Sequence, residues 1–209
     1  MQVLHEDAFL LALDKPAGLL AVPGRGEGKS DCLAARAQQR WPDALVVHRL
    51  DQATSGLMLL ARGTEIQRRL SAAFAERQVH KQYEAIVHGH LPAPGTEDGW
   101  GEIDLPLLID WPNRPRSKVE HNGGKPSRTR WKALSHDEGR GTTRLLLEPV
   151  TGRSHQLRVH LQALGHPIVG DTLYGPEDRA ERLMLHAKEL WLDHPESGKA
   201  LHFVSKVPF

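Results

Sequence analysis

The chain has 209 residues, 39% of them hydrophobic and 25% charged, with a formal net charge of +1; that length suits one domain, or one domain with two lobes, and a sizeable core. No run approaches the roughly 18 apolar residues of a membrane span, and no basic region precedes an apolar stretch at the amino terminus. The single cysteine, Cys32, has no partner for an internal disulfide, so a reducing, cytoplasmic setting is expected.

In chain order, Phe9–Leu13 reads as a buried strand, closed by the turn Lys15-Pro16-Ala17-Gly18 and followed by a second turn at Pro23-Gly24. Ser30 or Asp31 opens a helix through Gln39, ended by Trp41-Pro42. A strand ends near Val47 and another covers Leu57–Ala61. Thr64 is the expected N-cap of a second helix, with Gln67 three residues on and Ile66, Leu70, Ala73 and Phe74 along one face. Tyr83–Val87 is a strand, and the polar stretch Leu91–Gly99 is the one linker-like segment. The turn Asn122-Gly123-Gly124 sits between two basic runs of β character and predicts a hairpin arm. Arg144–Glu148 is a further strand. Ser154 caps a third helix bearing Leu157, Leu161 and Leu164 and stopped by Gly165, and Leu201–Val204 is the last strand. The whole reads as a single α+β domain over residues 1–209, with one extended mixed sheet and a few helices.

Charge is unevenly distributed. Arg114, Arg116, Lys118, Lys125, Arg128, Arg130 and Lys132 face a single acid, Glu120, whereas Gly95–Asp110 carries Glu97, Asp98, Glu102 and Asp104 with no Lys or Arg. A near-neutral chain can thus present a basic surface to phosphates, although the plain reading of such a run is a solvated face.

The stretch richest in chemistry is His48-Arg49-Leu50-Asp51-Gln52-Ala53-Thr54-Ser55-Gly56. It sets a carboxylate beside an arginine on a loop between two strands, where Thr54 and Ser55 can bond the local backbone and Gly56 gives freedom. A structural Asp-capped turn fits the same residues. The run resembles the H-R-L-D-x-x-T-S-G motif of the RluA family of pseudouridine synthases at every fixed position. Other segments follow in family order: Lys15-Pro16 with Gly18; Lys81, Tyr83, Ala85, Val87 and Gly89; Thr151–His160; Gly170-Asp171 with Leu173-Tyr174-Gly175; and Leu185-His186-Ala187. Five such matches across nearly the whole chain are hard to assign to chance. Asp104–Leu107, Asp110–Pro115 and Gly124-Lys125-Pro126 resemble the branch that acts on both 23S ribosomal RNA and transfer RNA. The catalytic pattern begins almost at Met1, so no amino-terminal S4 RNA-binding domain is expected.

The resemblance implies a pseudouridine synthase fold and an isomerase that needs no cofactor and no metal. It assigns the catalytic carboxylate to Asp51, its ionic partner to Arg153, and stacking on uracil to Tyr83, with Leu185 as an apolar wall. Arg49 would fill the space of a flipped nucleotide or hold its phosphate. RNA contacts are expected from His48, Arg49, Arg114, Arg116, Lys118, Arg128 and Arg158. Rival readings are weaker. His155 and His160 lack the Glu of a zinc-protease helix, Gly152–Gln156 lacks the closing Gly of a hydrolase elbow, and Gly24–Gly28 lacks the Lys-Ser/Thr ending of a phosphate loop. Outside enzymes, an RNA-binding chaperone could share the fold, but the intact Asp51, Tyr83 and Arg153 argue against it.

Overall fold

The computed structural model describes residues 1–24, 26 and 28–209, so the faint phosphate-loop resemblance at Arg25 and Glu27 lies outside the described residues. In chain order the elements are β1 (Gln2–Glu6), β2 (Leu10–Lys15), α1 (Leu33–Arg40), β3 (Ala44–Val46), β4 (Ser55–Arg62), α2 (Thr64–Ala75) and β5 (His80–His88). There follow β6 (Gly101–Asp104), β7 (Leu107–Ile109), β8 (Ser117–Val119), β9 (Arg128–Asp137), β10 (Thr142–Pro149), α3 (Gln156–Ala163), β11 (Leu185–Asp193) and β12 (Ala200–Val204). The chain divides into two compact units, Met1–Lys81 with His186–Phe209, and Gln82–Leu185. Among the described residues, many strands and three α-helices make the fold α+β, as the sequence predicts.

In the first unit the strand order is β1-β2-β4-β11, with β3 on β4 and β12 on β11. All these pairs are antiparallel except β4 with β11, which is parallel. Leu10, Leu11, Leu13 and Leu57–Leu60 are all buried, so β2 and β4 are covered on both faces. That is why they read as continuous apolar runs rather than as alternating ones. Helix α2 buries Ile66 and Leu70, but Thr64 is its first residue and Gly63 the cap. Gln67 does not close a capping box. Its side-chain amide donates to Val46 O at 2.9 Å, fastening the helix to β3. Helix α1 begins at Leu33 because the Cys32 sulfur accepts the Ala35 N–H, a role given in the sequence to Ser30 or Asp31.

The second unit holds the antiparallel order β5-β10-β9-β6 and the separate hairpin β7-β8. Helix α3 packs on β8, β9 and β10, and Val159 joins Leu107 and Tyr174 in a small core beneath the hairpin. Its cap is His155 in the left-handed region (φ 56°), not Ser154. The basic run is not one hairpin arm. The hairpin turns at residues 110–116, Asn122–Gly124 lies beyond β8, and Arg128, Arg130 and Lys132 belong to β9 within the larger sheet.

Between β1 and β2 the Asp7 carboxylate ties the corner, accepting from Phe9 N at 2.7 Å and Leu10 N at 2.8 Å, with His5 and His194 on its other oxygen. Partial burial opposes its charge, but bonds from His5, the Leu10 and Phe9 backbone and His194 together outweigh that and hold its pKa at about 2. A depressed carboxylate stabilises the fold above its unfolded pKa, and the contribution fades as pH falls through the folded value. Asp7→Asn keeps an acceptor but no titrating charge. Urea midpoints measured downwards from pH 6 should therefore fall less steeply between about pH 4 and pH 2 in the variant. Equal acid slopes would remove Asp7 from the acid sensitivity.

Candidate active site

Each unit carries part of the sequence-derived set. His48, Arg49 and Asp51 lie in the first; Tyr83, Arg153, Leu185 and the whole basic set lie in the second.

Asp51 is half-buried on the loop between β3 and β4, and Arg49 beside it is exposed. The loop is braced from three sides. Thr54 N donates to Asp51 O at 3.2 Å, closing the turn. Gly18 N donates to Gln52 O at 2.9 Å, and the Gln52 amide returns a bond to Gly18 O at 3.0 Å. Lys15, at the end of β2, is fully buried, and its ammonium donates to Pro16 O, Leu19 O and Gln52 O at 3.0, 2.7 and 3.0 Å. An ammonium has three donors and cannot be left bare in an apolar interior, so its carbonyl partners are held where it needs them. The loop's far end is fixed by β4. Gly56 has φ 111°, and a Cβ there would lie 2.3 Å from Ala187 O. Only glycine lets β4 run parallel against β11 at Ser55–His186 and Gly56–Ala187. A buried chain from Ser55 Oγ to His186 Nδ1 (2.8 Å) and from His186 Nε2 to Ser205 Oγ (2.9 Å) seals that contact.

His48, expected among the RNA contacts, is engaged inside the fold. Its Nε2 accepts the Leu59 N–H at 2.9 Å, and its ring stacks on Phe74 at 4.3 Å. Burial, reinforced by the Lys81 ammonium, pushes its pKa down to about 3, so the ring is neutral at physiological pH. It positions the loop.

In the second unit Tyr83 is half-buried on β5 opposite Leu147 of β10, and Leu185 is buried at the start of β11. Arg153 is exposed, and its backbone is held by Gln156. That amide oxygen accepts from Arg153 N at 3.1 Å and Thr151 Oγ1 at 2.7 Å, while its nitrogen donates to Arg128 O and Thr129 Oγ1. The neighbouring His155 meets Tyr174 Oη at 2.7 Å, and the same oxygen accepts Ser117 N at 2.7 Å. The turn end of the hairpin is thereby tethered to the Arg153 segment. Lys15, Gln156 and Tyr174 stand in the sequence only as motif letters, which do not announce their work as anchors. A lysine ending an otherwise apolar strand was the one available signal.

Arg158 is a second correction. Its guanidinium is buried and forms a fork with Asp171, both bonds 2.7 Å, while Asp171 also accepts Leu173 N and Tyr174 N. It holds the Gly170–Gly175 turn together and cannot reach a phosphate. His160, too, is spent internally, between Thr129 Oγ1 and Leu105 O. Among the described residues no cluster of three His, Cys, Asp or Glu could hold a metal ion, and no helix is long and apolar enough to cross a membrane.

Among the described residues, Lys118, Arg128 and Arg130 of the basic run are offset by acids. β6 pairs with β9 so that Glu102 and Asp104 face Arg130 and Arg128. Arg130 bonds Asp98 and Glu148 at 3.2 and 3.0 Å, and Arg128 lies 3.8 Å from Glu102. On the hairpin Lys118 pairs with Glu120 at 3.0 Å, whereas Arg114 and Arg116 meet no acid among the described residues.

Residues 10–163 match the family model described as RNA pseudouridylate synthase. Over its full length the chain is 47% identical to the dual-specificity RNA pseudouridine synthase RluA of Yersinia pestis, covering all of that protein. The chain belongs to the RluA family of pseudouridine synthases. It is an isomerase acting on RNA. A second RluA-family relative, from Escherichia coli K12, is 46% identical over 99% of this chain and 93% of its own. Among solved structures, human RNA pseudouridylate synthase domain containing 1 superposes with a TM-score of 0.81, at 30% identity, over 99% of this chain and 83% of its own.

For this RluA-family enzyme the two possible roles of Arg158 separate in one experiment. Arg158→Met leaves the Asp171 charge buried without its partner and should cost about 3–5 kcal/mol of stability. At a temperature where the variant stays folded, the salt dependence of RNA binding should be unchanged. A shallower salt slope with stability intact would restore Arg158 to the RNA contacts.

Proposed function

We propose that the enzyme converts specific uridines to pseudouridine in two RNA classes, 23S ribosomal RNA and the transfer RNA anticodon stem-loop, with Asp51 as catalytic carboxylate. The observation that carries this reading is the intact run His48–Gly56, on a loop clamped by a buried ammonium, in a chain 47% identical to a dual-specificity enzyme along its whole length. A cytoplasmic setting agrees with its lone, buried cysteine.

The reaction breaks the N1–C1′ bond of uridine, turns the base and joins C5 to C1′. The C5 hydrogen leaves to solvent and N1 takes up a proton, so no electron, phosphate or methyl donor is consumed. The target base must first leave its stack and enter a pocket. Arg49, exposed two residues from Asp51, holds the extruded nucleotide's phosphate. Asp51 acts on the nucleotide as nucleophile or base, and Arg153 supplies the guanidinium that the family motif contributes to the same reaction. Tyr83 lays its ring on uracil with its hydroxyl towards the C5 proton, and Leu185 excludes water.

Transcripts of both RNA classes carrying tritium at C5 of uridine test this directly. The parent enzyme should release label from each, and Asp51→Asn from neither, while thermal midpoint and RNA affinity stay close to the parent's. Turnover within about tenfold of the parent would overturn the assignment. A fall in stability instead would make Asp51 a structural turn residue.

Arg114 and Arg116 are the cations best placed to follow phosphates, being exposed on the hairpin and free of acidic partners among the described residues. Changing both to Gln should lower the slope of log affinity against log salt by about 1.4 to 1.8. Both RNA classes should be weakened alike, since phosphates carry no sequence. Arg128→Gln should change the slope less, because Glu102 already offsets that charge. An unaltered slope in the double variant would make the hairpin a solvated face.

A further inference from the structure

We propose that the tip of the β7–β8 hairpin is a base-stacking subsite, in which the Trp111 indole packs on an unpaired base of the RNA other than the target uridine. The inference rests on the hairpin facing RNA and deepens that reading.

Trp111 is 62% exposed. The other tryptophans are placed differently. Trp41 and Trp131 are buried, Trp100 lies beneath the Arg130 guanidinium, and Trp191 stacks on His202. Leaving an indole in water forfeits its large apolar burial, so its retention at a hairpin tip calls for an occupant.

The tip is built to hold that ring still. Residues 111–113 form a 3₁₀ turn in which Asn113 N donates to Asp110 O at 3.0 Å and the Asn113 amide to the Asp110 carboxylate at 2.9 Å. Asp110 N and Arg116 O close the loop at 2.9 Å, and Arg116 N bonds Asn113 O at 3.0 Å. Arg114 lies over the indole at 4.5 Å and donates from Nε to Trp111 O at 3.2 Å. A ring so fixed loses little freedom when a ligand stacks on it.

The chemistry around the ring selects the ligand. A protein partner would want a broader apolar surface, and here the indole is framed by cations. Arg114 and Arg116 have no acid of their own among the described residues, and Lys118 follows on β8. Aromatic face and guanidinium together match a base and its flanking phosphates, the pairing used to hold single-stranded nucleic acid. A duplex offers no free base face, so the occupant is a loop or bulge nucleotide. Ser117, at the foot of the tip, is bonded through Tyr174 to His155, two residues from Arg153. A base stacked at Trp111 is thus registered against the Arg153 segment.

The test compares Trp111→Ala, Trp111→Phe and Trp111→Leu on RNA stem-loops of both classes and on a blunt duplex of the same stem. Losing one stack should weaken stem-loop binding by roughly five- to 150-fold in the Ala and Leu variants. Phe should recover much of that loss, the salt slope should stay at the parent value, and the turnover defect should fall on KM. Replacing the loop nucleotides one at a time by abasic sites should reveal one position, outside the target, whose loss matches Trp111→Ala and is not additive with it. Indole emission of the parent should respond to the stem-loop and not to the duplex. Parent-like binding by Trp111→Ala, equal rescue by Leu and Phe, or an equal response to the duplex would each overturn the proposal. The salt slope of the Arg114→Gln/Arg116→Gln double variant tests the underlying reading separately. If that slope falls and Trp111→Ala binds like the parent, the stacking subsite alone falls.

Discussion

The buried ammonium of Lys15 is the constraint from which the Asp51 loop takes its shape. A charge with no exposed surface must be met by oxygens, and three backbone carbonyls from two separate segments converge on it. Two belong to the turn after β2 and one to Gln52, adjacent to Asp51. Moving either segment would strand part of the ammonium, which costs far more than loop entropy recovers. Asp51 therefore sits on a loop that is irregular in secondary structure yet fixed in place, as the catalytic role proposed for it requires.

The second unit solves the same problem with an amide and an ion pair. Gln156 engages four groups around the Arg153 segment, and the Arg158–Asp171 fork closes the turn that carries Tyr174. Each is a buried polar group whose partners lie on different elements, so side-chain hydrogen bonds do the work that regular pairing cannot do across loops. Among the described residues no buried side-chain nitrogen or oxygen is left without a partner. Several motif residues, Lys15, Gln156, Arg158 and Tyr174 among them, are thus structural anchors.

This explains what was legible in the sequence. Strands with continuous apolar runs, such as β2 and β4, declare themselves through burial on both faces, and the third helix through Leu157 and Leu161. Caps did not, because Cys32, Gly63 and a left-handed His155 stand where hydroxyl residues one or more positions away looked better. Arg158 and His48 were misassigned for a common reason. A cationic residue type next to a catalytic motif reads as a ligand contact, and only packing shows that one is consumed by Asp171 and the other neutralised by burial. The division into two units was no more visible than a possible pair of lobes, since Lys81 and Gln82 adjoin inside one strand.

Charge in this protein is apportioned by strand register. The acidic stretch before Asp110 and the basic run after it look like separate features, yet pairing of β6 with β9 lays Glu102 and Asp104 against Arg130 and Arg128. Asp98 and Glu148 complete the neutralisation of Arg130. A net charge of +1 is then compatible with an RNA substrate, because the acids are spent on the sheet and leave the hairpin cations exposed. Screening limits the reach of each surviving cation to about 8–10 Å at physiological salt. With the RNA contacts proposed above, attraction for a phosphate backbone resides in where Arg114 and Arg116 are held, not in the protein's overall sign. The stiff turn beneath Trp111 supplies that placement, and the Tyr174 tether carries it to the segment bearing Arg153.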